Sequence, residues 1–179
     1  MEPAKTPMIE AQPLIMRPWR AADLKALVHH ANNRKIWLNV RDRFPHPYTA
    51  ADARAWIEIR AADAGNPYNF AIEFEGDAIG GIGMEFFTDV HRLTAEIGYW
   101  LGEPFWGRGL ATIALRAVTG YAFATFDLRR IQATVYEWNP ASMRVLEKAG
   151  FQLEGRLRNY VVKEGRVGDV LMYAKLRAD

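Results

Sequence analysis

Residues 105–112 read Phe-Trp-Gly-Arg-Gly-Leu-Ala-Thr, and directly after them Leu110, Ile113, Ala114, Ala117, Val118, Tyr121 and Ala122 recur at the spacing of one helix face. Two glycines around one arginine leave the backbone bare where that helix begins. The first N–H groups of a helix lack intrahelical partners and the helix dipole adds partial positive charge, so the turn suits an anion such as a pyrophosphate. A tight turn with no ligand is the other reading of the same glycines. Two phosphate signatures do not fit. A Walker loop needs Lys and then Ser or Thr after its last glycine, where this chain has Leu110 and Ala111. A Rossmann fingerprint needs a third glycine where Thr112 stands, and "GGIGM" at 80–84 also lacks it and lies within a strand pattern.

Outward from this turn, periods of two and of 3.6 alternate along the chain. Strands are expected at Leu14 to Arg17, around Phe70, Ile72 and Phe74, at Ala78 to Phe86, Thr94 to Leu101, Arg130 to Tyr136, Phe151 to Tyr160 and Asp169 to Lys175. "EGD" at 75–77 turns the second strand into the third as a hairpin. Helices are expected at Ala21 to Asn32, at Ala51 to Ala64 with Thr49 placed to cap it, after the glycine turn, and over "NPASMRVLEKAGF". The Pro-rich aromatic stretch "DRFPHPYTA" reads as a loop between the first two helices. The order is β, α, α, β, β, β, α, β, α, β, β, a mixed α/β class.

The chain has 179 residues and is half hydrophobic, enough for one well-filled core, and one domain over 1–179 is expected. Lys and Arg total 23 against 21 Asp and Glu; so thin an excess does not point to nucleic acid. The absence of cysteine excludes disulfides, thiolate metal sites and a cysteine nucleophile, and fits a reducing cytoplasm. No run approaches the ~18 apolar residues of a membrane span, and the Pro-bearing start lacks a signal peptide's apolar stretch, so a cytoplasmic protein without membrane contact is expected. His29, His30, His46 and His91 show no ligand spacing and read as surface or packing residues; no metal is expected.

Taken together, "AEIGYWL", "FWGRGLAT" and "NPASMRVLEKAGF" resemble the GNAT superfamily of acyl-CoA-dependent N-acetyltransferases, and more narrowly its RimJ/RimL-like branch. The resemblance runs from "IMRPWRAADL" to "GDVLMYAKL". It implies a mainly antiparallel sheet with a splayed parallel strand pair that binds acyl-CoA, and helices on both faces. It also implies acetyl-CoA as cosubstrate, an amine acceptor on a protein N-terminus or small molecule, and leaves a homodimer open. Under it the backbone of Trp106, Gly107, Arg108, Gly109, Leu110, Ala111 and Thr112 wraps the coenzyme pyrophosphate. Tyr99, Trp100 and Leu101 pair with the pantetheine arm, and Leu101 offers an N–H of the oxyanion type. Asn139 binds the pantetheine region, and Ser142 serves the departing thiolate.

Local alternatives stand beside each role. Asn139 followed by Pro140 is also a helix cap, and Ser142 can bond to backbone in the first turn. Glu96 is where a general base for the amine is sought, since it shares a strand face with Gly98 and Trp100; a solvated strand-end glutamate is the alternative. Ile113 stands where relatives often carry glutamate, and Trp106 where the wider superfamily often has Gln or Arg. The acceptor site is expected between the loop Arg41 to Tyr48 and the turn Lys163 to Gly168, with Arg41, Arg43, Tyr48, Arg156 and Arg158 available to a carboxylate or acidic peptide. A non-catalytic acyl-CoA-binding module and a transferase using a longer acyl group are the rival functions.

Overall fold

Short apolar alternation builds the sheet in this computed structural model, which describes residues 6–62 and 68–178. Among the described residues eight strands form one sheet: β1 (Ile9–Ala11), β2 (Leu14–Arg17), β3 (Asn69–Phe74), β4 (Asp77–Phe86), β5 (Thr94–Leu101), β6 (Arg130–Tyr136), β7 (Gln152–Lys163) and β8 (Arg166–Leu176), in the order β1-β2-β3-β4-β5-β6-β8-β7. Every neighbouring pair is antiparallel except β5 with β6.

Helices cover both faces. On one lie α4 (Leu110–Thr125) and α5 (Pro140–Lys148), whose Leu110, Ala114, Leu115, Val118, Ala122 and Leu146 join Ile97, Leu101, Ile131 and Val135 of the sheet in the larger core. On the other lie α1 (Leu24–Ala31) and α3 (Ala50–Ala62), where Leu27, Ala31, Ala53 and Ile57 pack with Trp19, Ala71 and Ala78. α2 (Arg34–Trp37) is a single turn between them, its Lys35 N–H donating to the capping Asn33 Oδ1 at 2.8 Å. Thr49 does cap α3: its hydroxyl accepts from Asp52 N at 3.3 Å while the Asp52 carboxylate takes the Thr49 N–H at 2.8 Å.

Several boundaries differ from expectation, each for a physical reason. The helix expected from Ala21 opens as a 3₁₀ turn, Ala21–Asp23, because Asp23 turns inward to the Arg17 guanidinium with two bonds of 2.8 Å. Arg17 is 2% exposed and also bonds Glu73, so both its charge and its planar donors are satisfied inside the sheet. β1 is only three residues beside Pro13, too short to show a period. The closing hairpin is longer than Phe151 to Tyr160 and Asp169 to Lys175, because bulges between Leu153 and Gly155 and between Leu157 and Val161 break the alternation that marks a strand. The end of the second expected helix, 63–64, lies outside the described residues.

What positions the site is the parallel pair. β5 and β6 pair at only three positions, Thr94 with Arg130, Ala95 with Ile131 and Glu96 with Gln132. Beyond them β5 stays bound to β4 as far as Leu101, and β6 to β8 as far as Tyr136. The edges of Ile97–Leu101 and Ala133–Tyr136 therefore face each other without a shared ladder, and a V-shaped opening is left in the middle of the sheet.

Candidate active site

At one mouth of the opening the chain leaves β5 through a 3₁₀ turn, Glu103–Phe105, and enters α4. Gly107 and Gly109 both hold positive φ, 75° and 79°, a region where a β-carbon costs energy. Gly109 is the N-cap and brings no side chain to the helix start, so the N–H groups of Leu110, Ala111 and Thr112 lack both intrahelical partners and a side-chain cap. The Trp106 indole N–H donates to Leu101 O at 2.6 Å and ties the turn to the end of β5. The Arg108 guanidinium lies over the rings of Phe74 and Phe105, at 4.9 and 5.8 Å, so its charge is stacked on aromatics.

Across the opening, the Tyr99 hydroxyl lies 2.9 Å from Ser142 Oγ and 3.3 Å from Ser142 O, bridging β5 to the first turn of α5. Burial pushes the Tyr99 phenol up to about 12, against the pull of the Ser142 hydrogen bond. It therefore stays a neutral O–H donor at ordinary pH. Asn139 is the N-cap of α5, its side-chain oxygen accepting from Ser142 N at 3.2 Å. The sequence leads to Tyr99 only for its backbone; a tyrosine in a strand carries no local mark that its hydroxyl will reach another element.

The opposite face of β5 carries Glu96, Gly98 and Trp100, by the alternation of a regular strand. Glu96, 18% exposed, is ion-paired with Arg41 from the loop that follows α2. Farther along that loop the Phe44 ring meets Trp100 edge-on at 5.6 Å. The loop is fastened from the far side by Lys163, 3% exposed, whose ammonium donates to Val40 O at 3.0 Å and to the Asp42 carboxylate at 2.6 Å, and sits 3.8 Å over the Trp37 ring. Trp138 adds an indole bond to Leu38 O at 3.2 Å. Tyr136 lies within the field of Arg41 and Asp42, with burial raising its phenol.

The interhelical loop and the last hairpin turn are thus one structure, but several of the side chains expected to greet an acceptor are otherwise engaged. Tyr48 is in the core, 5% exposed and 5.0 Å from the Phe44 ring, with burial pushing its phenol up to about 12. Arg156 is held by Asp169 and Glu137. Arg43 and Arg158 are exposed. The sequence marks Lys163 only as the start of a turn, since a lone lysine there looks like any solvated one. His30 packs against Phe105 and His46 stacks on Trp37, with burial holding His30 below its ordinary value.

A mainly antiparallel sheet that opens between two parallel strands, beside a glycine-started and uncapped helix, defines the GNAT class of fold. The family model described as an acetyltransferase (GNAT) domain matches residues 13–152, and the chain belongs to that family. It is 35% identical over 114 residues, 64% of each chain, to the "uncharacterized N-acetyltransferase p20" of Bacillus licheniformis. Over 168 residues it is 30% identical to the [ribosomal protein uS5]-alanine N-acetyltransferase of Escherichia coli, covering 90% of this chain and 83% of that one. Mycobacterium smegmatis RimJ in complex with CoA-disulfide superposes with a TM-score of 0.81 at 26% identity, over 98% of this chain and 88% of that one. The matched part spans about half to two thirds of the length of four Bacillus relatives, p20 among them. Among the described residues no helix is long and apolar enough to cross a membrane.

Proposed function

We propose that the protein transfers an acetyl group from acetyl-CoA directly to a primary amine, at a peptide or protein N-terminus or on a small molecule. The observation that carries this is the opening between β5 and β6, with anion-ready N–H groups at its mouth and the Tyr99–Ser142 hydroxyl pair across it. The pyrophosphate lies on the backbone of Trp106, Gly107, Arg108, Gly109, Leu110, Ala111 and Thr112. The pantetheine arm runs as a short extra strand against the free edge at Tyr99, Trp100 and Leu101, with Asn139 on its other side. Relatives named as N-acetyltransferases and a neighbour solved with a coenzyme A disulfide support this reading.

The amine nitrogen attacks the thioester carbon, the C–S bond breaks, and sulfur leaves as a thiolate stabilised by a hydrogen bond from the Ser142 hydroxyl, which keeps its own proton; the thiolate takes its proton from solvent on release. Tyr99 donates to Ser142 Oγ, which aims the serine proton at the sulfur. Glu96 accepts the proton the nitrogen sheds, directly or through water. An α-amino group titrates near ~8 and a lysine near ~10.4, so the N-terminal amine needs less help to be neutral. The same reading takes 1–179 as one catalytic domain in the cytoplasm. The test is thiol release from acetyl-CoA and from longer acyl-CoAs, with peptides and small amines as acceptors. Amine-dependent release, fastest with acetyl, supports it; binding without turnover favours the module, and preference for a longer chain the other transferase.

A further inference from the structure

The place of the Ser142 hydroxyl depends on how α5 begins. Leu146, in the second turn of that helix, reaches the core, whereas Pro140 and Ala141 at its start are exposed and Ser142 is half-buried. The first turn is therefore placed by the chain that leads into it. Residues 136–139 form a tight turn, in which the Asn139 N–H donates to Tyr136 O at 2.9 Å and the Glu137 N–H returns to Asp169 O of β8 at 3.0 Å. Trp138 stands at the corner of this turn, one residue before the capping Asn139. Its indole N–H donates to Leu38 O, at the C-cap of α2, at 3.2 Å and across 100 residues of chain. Its ring lies 5.3 Å from that of Tyr136, with the Arg166 guanidinium 4.5 Å away over its face. Gly168 of β8 makes room for it: a β-carbon there would fall 2.3 Å from Trp138 Cζ3 and 3.2 Å from Cη2, and the φ of Gly168 is not positive. That strand glycine answers to the indole rather than to a backbone bend.

We propose that Trp138 is a positioning residue for Ser142. Seated on Gly168 and tied to Leu38, the indole fixes the turn 136–139, the turn fixes the Asn139 cap, and the cap holds the Ser142 hydroxyl 2.9 Å from that of Tyr99. The effect on rate rests on the transferase reading; the effect on the helix start does not. Burial alone does not ask for this arrangement, since the ring is half-buried, yet its N–H goes to a carbonyl of another helix and a central strand is left bare to seat it.

The experiment uses Trp138→Phe, which keeps a ring and removes the N–H, and Gly168→Ala, which keeps Trp138 and pushes it from its seat. Hydrogen exchange at the Ser142 and Met143 amides, followed by NMR, should quicken about tenfold in both variants while the buried amides of α4 stay as they are. Thiol release from acetyl-CoA with a saturating alanine-initiated peptide should lose about tenfold in kcat, the scale of a slightly misplaced group, and the CoA-induced rise in melting temperature should persist. Placed in a Ser142→Ala background, either change should lower kcat by less than about twofold, because the group it positions is gone. Exchange at the wild-type rate, kcat at the wild-type value, or a loss undiminished in the Ser142→Ala background each overturns the proposal. If Trp138→Phe does not fold, Gly168→Ala decides alone. A wild type that turns over no amine removes the transferase reading, and exchange then decides the positioning by itself: quickened exchange sustains it and unchanged exchange overturns it.

Discussion

Replacing Ser142 by alanine separates chemistry from architecture, because its backbone and its hydroxyl do different things. The Ser142 N–H donates to Asn139 Oδ1 at 3.2 Å, and alanine keeps that N–H, so the cap of α5 survives. What disappears is the 2.9 Å contact between Oγ and the Tyr99 hydroxyl. Tyr99 retains Ser142 O at 3.3 Å, so its hydroxyl is not stranded, and the stability loss belongs at the ordinary scale of about 1 kcal/mol for one hydrogen bond. That corresponds to about 2–4 °C in melting temperature for a chain of this length. If the hydroxyl stabilises the leaving thiolate by its hydrogen bond, kcat should fall by about 100-fold, equivalent to ~2.7 kcal/mol of barrier. CoA affinity should hardly change. The assay is kcat with a saturating amine beside the melting temperature of the same purified variant. A drop of a few degrees with kcat unchanged, where the chemical step limits turnover, would refute the role.

Gly109→Val forces a β-branched residue to φ 79° although its β-carbon meets nothing within 4 Å, so about 1–3 kcal/mol of backbone strain should appear and the CoA-induced rise in melting temperature should shrink; an undiminished rise would show that the turn holds no phosphate. Lys163→Met releases Val40 O and Asp42, whose carboxylate is 72% exposed and so is not left buried; acceptor KM should rise at least several-fold with CoA affinity unchanged, which steady-state kinetics and CoA titration check together. Tyr48 and Tyr99 are both raised from 10.0 to about 12, so the folded chain holds their protons more tightly than the unfolded one. Their contribution to stability is complete below pH 10 and is lost as pH rises toward 12; an alkaline melting series should show the decline, and Tyr99→Phe should flatten part of it.

The sheet and its helices were legible because β5, β6 and α4 each carry a clean period, and the turn at 107–109 because positive φ leaves few residues but glycine. The three-residue β1, the one-turn α2 and the end of the bulged β7 beyond Tyr160 fell below what periodicity can reveal. In the site, local motifs led to Asn139, Ser142 and Glu96. The structure adds what depends on distant partners: Tyr99 meets Ser142 across 43 residues, Arg41 meets Glu96 across 55, and Lys163 meets Val40 across 123. Such pairs have no sequence spacing to read.

The transfer itself is tested most directly by mixing the protein with acetyl-CoA carrying a labelled acetyl group and a short peptide with a small first residue and a free N-terminus, then locating the label by mass spectrometry while counting free thiol. The account predicts one labelled acetyl on the α-amine for each CoA released. Thiol release that leaves the peptide unlabelled, or tight CoA binding with no release at all, would contradict it.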